Sequence, residues 1–260
     1  MSEENEEGEI GLSFIILADM EMPNPKKVMA AAHSMGIELS PVAPEPGDAD
    51  EQGEAMLFAF GDNSRLVVAL MPIPHPDVGD MMQGPLSPDN LEELVAAPAH
   101  LLVSALSLDG TVDEQDIRMS AMTASVVEAC NALAVLKMPG RIFHRPDLFV
   151  DTAREAITNG ELPMLICIDI SIARESDDRL SLLTHNMERY GREDFYVFAG
   201  EDASEAIDYV FNLTSWMLSD REYHLPTGDT LGRTAEEKIL VQRVPNPTGE
   251  GDEVIKLELT

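Results

Sequence analysis

The sequence predicts an α+β fold, with mixed, mainly antiparallel sheets and helices packed on one side. Three observations carry this. Apolar runs of strand length are joined by connectors short enough for hairpins, as at "GDNS" and "PNPTGEGD". Helix-sized amphipathic segments fall between them. Both halves open with a strand, then a helix, then further strands, the pattern of two related strand–helix–strand units. The division expected is a tail over 1–10, an N-terminal half over 11–98 and a C-terminal half over 99–260, alongside the simpler option of one compact domain. With 260 residues, 44% hydrophobic and 25% charged, the chain can build a sizeable core.

The elements follow in order. Residues 1–10, "MSEENEEGEI", read as a disordered acidic tail. "GLSFIILADM" is an apolar strand. In "NPKKVMAAAHSMG", Asn24 caps a helix, Pro25 suits its first turn, Val28, Ala31, Ala32 and Met35 form one apolar face, and Gly36 ends it. "SPVAPEPGDADEQGEA" is an exposed loop, and "AMLFAFGDNSRLVVALMPIP" is a hairpin. Four prolines break the next stretch into short turns and mark the expected boundary between halves. "HLLVSALSL" is a strand, followed by a long helix from about Asp113 to Leu133. "RPDLFVDTAREAITNG" is a helix that Asp147 caps and Asn159-Gly160 ends. "LPMLICIDISI" is a nearly continuous apolar run, expected as a central strand covered on both faces. "DFYVFAG" is a strand, Asp202 to Leu218 an amphipathic helix, and "KILVQRV" with "EVIKLEL" a C-terminal hairpin.

Charge narrows the function classes. Seventeen Lys and Arg stand against 48 Asp and Glu, a net −31. Such a chain repels nucleic acid and anionic membrane and attracts a basic protein partner. Imitation of a DNA backbone needs acids in a regular row, whereas these are scattered among loops and helices. Cys130, in the predicted long helix, and Cys167, in the apolar run, form no CxxC pair and no zinc spacing, and read as buried thiols. The acidic opening Met1 to Glu9 is unlike a secretion signal, and no apolar run reaches membrane-spanning length, so a reducing cytoplasm is expected.

The glycine-bearing segment "LPTGDTLGRTAEEK" lacks the context of a phosphate loop. A P-loop sits between a strand and a helix, but here a helix precedes and the strand "KILVQRV" follows. It reads instead as the turn that begins the C-terminal strands. "GDTLGRTAEEKILVQRV" with the closing "EVIKLEL" resembles the C-terminal signature of the DUF4261 family. So do "HLLVSAL", "FHRPDLFVDTA", "LPMLICIDISI" and "LSLLTHNMERYGREDFYVF", over about the last 160 residues. Thr184, Gly191 and Glu193 stand where that family carries similar residues, while the middle of "THNMERYG" is more polar than its pattern. The resemblance implies a bacterial domain and assigns no activity.

No GxSxG, SxxK, HExxH, calcium-loop or GxGxxG motif occurs, so no catalytic residue, metal ligand or cofactor is assigned. The six histidines show no metal-ligand spacing. Two places could carry chemistry. The local basic cluster "GRIFHRPD" offers Arg141, His144 and Arg145 as an anion clamp in a chain poor in cations. The polar connector "LTHNMERYGRED" offers His185, paired with Glu188 or Glu193, for general acid–base work. Two functions compete. The first is a macromolecule-binding module, such as an immunity or accessory protein for a secreted effector. The second is a small-molecule enzyme or anion-binding domain built on His144 and His185.

Overall fold

The computed structural model describes residues 9–43, 55–61, 63–82, 84–200, 203–220, 222–234, 236–249 and 253–259. The predicted acidic tail, but for its last two residues, and most of the predicted loop over 40–55 lie outside them. Two compact units emerge. The first takes in the described residues of Met1–Met82 and Leu86–Cys167, the second those of Gln83–Pro85 and Ile168–Thr260. Mainly antiparallel sheets combined with helices make the fold α+β.

The first unit runs β1 (Glu9–Leu17), α1 (Pro25–Ser34), β2 (Ser40–Pro41), β3 (Ala55–Phe60) and β4 (Ser64–Met71), then a 3-10 turn at Val78–Asp80. It continues with α2 (Leu91–Val95), β5 (Ala99–Leu108), α3 (Val112–Val127), β6 (Ala132–Lys137), α4 (Pro146–Asn159) and α5 (Met164–Cys167). The strands form one antiparallel sheet in the order β2-β3-β4-β5-β1-β6. β5 lies between β4 and β1, so the division expected near residue 98 falls inside this sheet; the chain divides near residue 167 instead.

Local chemistry explains the helix starts. The Asn24 side chain accepts from the Lys26 N–H at 2.9 Å, and Pro25 opens α1. Thr111 and Glu114 form a reciprocal capping box at the start of α3. Arg145, not Asp147, occupies the cap of α4. Pro146 takes the first helical position, and Asp147 then lies in the first turn, where its charge favours the helix dipole. Gly160 closes α4 in the left-handed conformation, at φ 69°.

Two expectations are corrected here. The helix predicted to reach Leu133 stops at Val127, and Ala132–Lys137 becomes β6, paired with β1. The run "LPMLICIDISI" is no single central strand. Met164–Cys167 forms a helical turn, and the strand that follows is an edge strand. A short buried apolar run has no periodicity to separate the two conformations.

Helix α3 is buried on all sides from Met119 to Val127 and packs against α1, α4 and β1. A polar seam crosses this interface. Thr123 Oγ1 lies 3.1 Å from Ser13 Oγ, and Lys137 Nζ meets Asp116 Oδ1 at 2.5 Å with both side chains about 95% buried. On the other face of the sheet, Ile16, Ala134 and Leu136 pack with Val78, Leu94 and Phe143.

The second unit runs β7 (Asp169–Ser176), β8 (Arg179–His185), a 3-10 turn at Met187–Tyr190, β9 (Phe195–Ala199) and α6 (Ala203–Ser219). It closes with β10 (Thr230–Leu231), β11 (Ile239–Leu240), β12 (Gln242–Pro245) and β13 (Glu253–Glu258). The main sheet is ordered β12-β13-β9-β8-β7, antiparallel except for the parallel pair β13–β9, and β10 pairs with β11 separately. Helix α6 turns Ala206, Val210, Leu213 and Met217 inward against β8 and β9. The segment from Gly228 is a turn: the Gly228 N–H donates to Val241 O, and the Val241 N–H to Asp229 O, each at 2.9 Å. Arg233 is taken up by Glu237 and, at 2.6 Å, by Glu205.

Candidate functional site

The polar connector between β8 and β9 is held by one carboxylate. Asp194 Oδ1 accepts from Thr184 Oγ1 at 2.8 Å and from the Met187 N–H at 3.3 Å, while Thr184 Oγ1 accepts from the Phe195 N–H at 2.8 Å. Asn186 and Gly191 bracket the 3-10 turn in left-handed conformations, at φ 77° and 72°. Asparagine and glycine are the residues that enter this region at least cost. The connector therefore presents Glu188 and Glu193 from a defined backbone.

Burial pushes the Asp194 carboxyl up to about 6, despite the opposing hydrogen bonds from Thr184 and Met187; the Glu188 charge adds to the rise. The native carboxyl thus holds its proton more tightly than the unfolded one, whose ordinary value is 3.8. Between those values the folded chain binds more protons, and stability falls as pH rises. Asp194→Asn removes this titration and keeps an oxygen acceptor. The stability of the parent relative to Asp194→Asn is expected to fall by on the order of 2 kcal/mol between about pH 4 and pH 7. Urea titrations at several pH values check this, and parallel stability curves for the two proteins would refute it.

Glu193 receives a two-pronged bond from Arg243, whose Nε and Nη2 each lie 2.7 Å from a carboxylate oxygen. The same guanidinium donates to Thr227 Oγ1 at 2.6 Å and to Leu225 O at 2.9 Å, tying β12 to the loop that follows α6. Arg192 is 5% exposed. It donates from Nε to Met217 O at 3.0 Å and from Nη2 to Asp220 O at 2.7 Å, satisfying carbonyls at the C-terminus of α6. Beside Arg192 opens a cleft of about 330 Å³, lined by Glu188, Gly191, Arg192, Glu193, Met217, His224 and Leu225.

The predicted site residues are distributed as follows. Glu193 lines the cleft; His185 does not. The His185 Nε2 lies 2.8 Å from Ser171 Oγ, on the β8 position that faces Asp169 across the β7–β8 ladder. Arg141, His144 and Arg145 belong to the first unit. The His144 backbone exchanges hydrogen bonds with Val135 on β6, and its ring lies 6.3 Å from that of Phe149. Arg145 is half-exposed, with Nε 3.7 Å from Asp147.

One constellation escaped the sequence reading. His75 and His100, both buried, meet edge to face at 5.0 Å, with Phe14 and Phe143 around them. Burial lowers both pKa values, and the neighbouring His100 lowers that of His75 further, against the Asp77 charge. Twenty-five residues separate them, and only the pairing of β4 with β5 brings the segment after β4 alongside His100. Among the described residues, no group of three or more His, Cys, Asp or Glu is placed to hold a metal ion, and no helix is long and apolar enough to cross a membrane. No protein-family model, no curated protein and no solved structure matches this chain.

Proposed function

We propose that this chain is a cytoplasmic macromolecule-binding module that engages a basic protein. An immunity or accessory protein for a secreted bacterial effector is the kind of role it fits, and membership of the DUF4261 family is part of the same proposal. The observation that carries the reading is the uncompensated negative charge of the chain. Lys137, Arg154, Arg233, Arg243 and Lys256 are all engaged by carboxylates within the fold, so none of these five is left to offset the excess of acid. Full pairing of all 17 cations would still leave 31 negative charges. A surface of this kind draws in a basic partner quickly and loses it as salt rises.

The test is capture of partners from the native host by the tagged chain, at about 50 mM and about 300 mM salt, read by mass spectrometry. A stoichiometric basic protein, retained at the lower salt and released at the higher, is the expected result. Retention independent of salt, or no stoichiometric partner at either, would overturn the proposal.

A further inference from the structure

A strap crosses one face of the first unit's sheet. Residues 72–82 leave β4 and pass over β5 and β1: His75 meets His100 and Phe14, Val78 packs with Ile16 and Leu136, and Met82 bridges to Ile142. Pro72, Pro74 and Pro76 have no N–H, so this part of the strap cannot be held by a ladder of backbone bonds. Side chains hold it instead. His100, near the start of β5, reaches the strap at Ile73 O, 3.0 Å from its Nδ1. His75 is the strap's own anchor. Its ring stands edge to face with His100 at 5.0 Å, Phe14 at 4.8 Å and Phe143 at 5.9 Å. His75 is 8% exposed and His100 5%.

The hydrogen bonds fix where the protons sit. A carbonyl only accepts, so His100 Nδ1 carries the proton and its Nε2 is bare. His75 Nδ1 accepts from the Asp77 N–H at 3.3 Å, so the proton of that ring is on Nε2. The closed strap is therefore built around two neutral rings. A proton added to His75 Nδ1 would set two donors against each other at Asp77. One added to His100 Nε2 would place a charge in the aromatic cluster, and charging both would leave like charges on rings 5.0 Å apart.

Neighbouring charges do not offset this. Asp77 favours a charged His75, but it is exposed. Asp89, Glu92 and Glu93 at α2 are exposed as well, Asp19 beyond β1 is bonded by Asn131, and Lys137 of β6 is bound to Asp116 on the α3 face. Arg65 shares the face of His100 but lies at its far end, opposite Leu106, and Arg141 and Arg145 near Phe143 have the same sign as a protonated ring. The Asp80 side chain lies outside the described residues. Burial thus outweighs Asp77 and the Ile73 carbonyl and holds both rings below their ordinary value of 6.5. Opening the strap returns them to it, so the hold is complete above about pH 6.5 and is lost as pH falls.

We propose that His75 and His100 form an acid-sensitive latch. As neutral rings they keep the strap closed over Phe14, Ile16 and Leu136, and a proton on either ring releases it and bares part of that apolar face. The inference goes beyond the proposed function and stands without it.

Amide exchange of the full chain, between about pH 7.5 and about pH 5.0, tests the latch. Each histidine that is neutral when closed and free to protonate when open raises opening by up to about tenfold per pH unit below its ordinary value. His75→Phe/His100→Phe keeps two aromatic rings and removes both titrations. After correction for intrinsic rates, the acid-driven rise in opening of residues 73–82 is expected to be larger in the parent than in this variant by about tenfold or more. Equal rises in the two proteins would overturn the latch. A second measurement uses the parent alone: the ring C–H resonances of His75 and His100 are expected to titrate only as the strap amides lose protection. Rings that take up protons near their ordinary value while the strap stays protected would overturn the proposal equally.

Discussion

Asp116→Ala is expected to cost the first unit roughly 3–5 kcal/mol, a large part of the 5–15 kcal/mol that holds an ordinary domain folded. The reason is the buried ion pair it breaks. Lys137 Nζ lies 2.5 Å from Asp116 Oδ1, and the two side chains are 4% and 5% exposed. Removing the carboxylate takes the attraction of Asp116 from an ammonium buried beneath α3, while the cost of its burial remains. The double substitution Asp116→Leu/Lys137→Met removes both charges and is expected to recover most of the loss, because apolar packing replaces two desolvated ions. Denaturant unfolding followed by far-ultraviolet circular dichroism reads the effect, since the only tryptophan belongs to the second unit. A double variant as unstable as the single one would show that the pair's loss is not the source of the cost.

Arg192→Ala is expected to destabilise the second unit by about 2–4 kcal/mol. Its guanidinium serves Met217 O and Asp220 O together, and truncation leaves both carbonyls without that donor, along with a void at the base of the cleft. Arg192→Lys keeps the charge but replaces a planar fork with a single point donor, so partial rescue is expected. Urea unfolding followed by Trp216 emission measures the loss. Amide exchange should quicken between Met217 and Tyr223 and stay unchanged in α3. Uniform loss of protection across the second unit, or none, would argue against this local role.

Much of the fold could be read from single residues. Asn24, Pro25 and Gly36 marked α1 because cap chemistry is local, and the turn at Gly228 could be told from a phosphate loop by what flanks it. Pairing across the chain was harder. The start of "ALAVLK", through Leu133, falls within the predicted long helix, and only its ladder with β1 makes it a strand. The candidate site shows the same division. Glu193 was visible as a polar residue in a connector, but its partner Arg243 lies fifty residues on, and the bond between them depends on where β12 falls.

All four margins of the two main sheets are poor templates for a further strand. β2 is two residues long and ends in Pro41; the outer side of β6 is met by His144 at Val135; β12 ends in Pro245; and β7 breaks register between Arg174 and Ser176. Open edges are where chains add to one another and grow into fibrils. With these margins blunted, a chain jolted by heat or crowding should reopen and reclose alone, and suspensions of it should stay clear where other sheet proteins of similar stability turn cloudy.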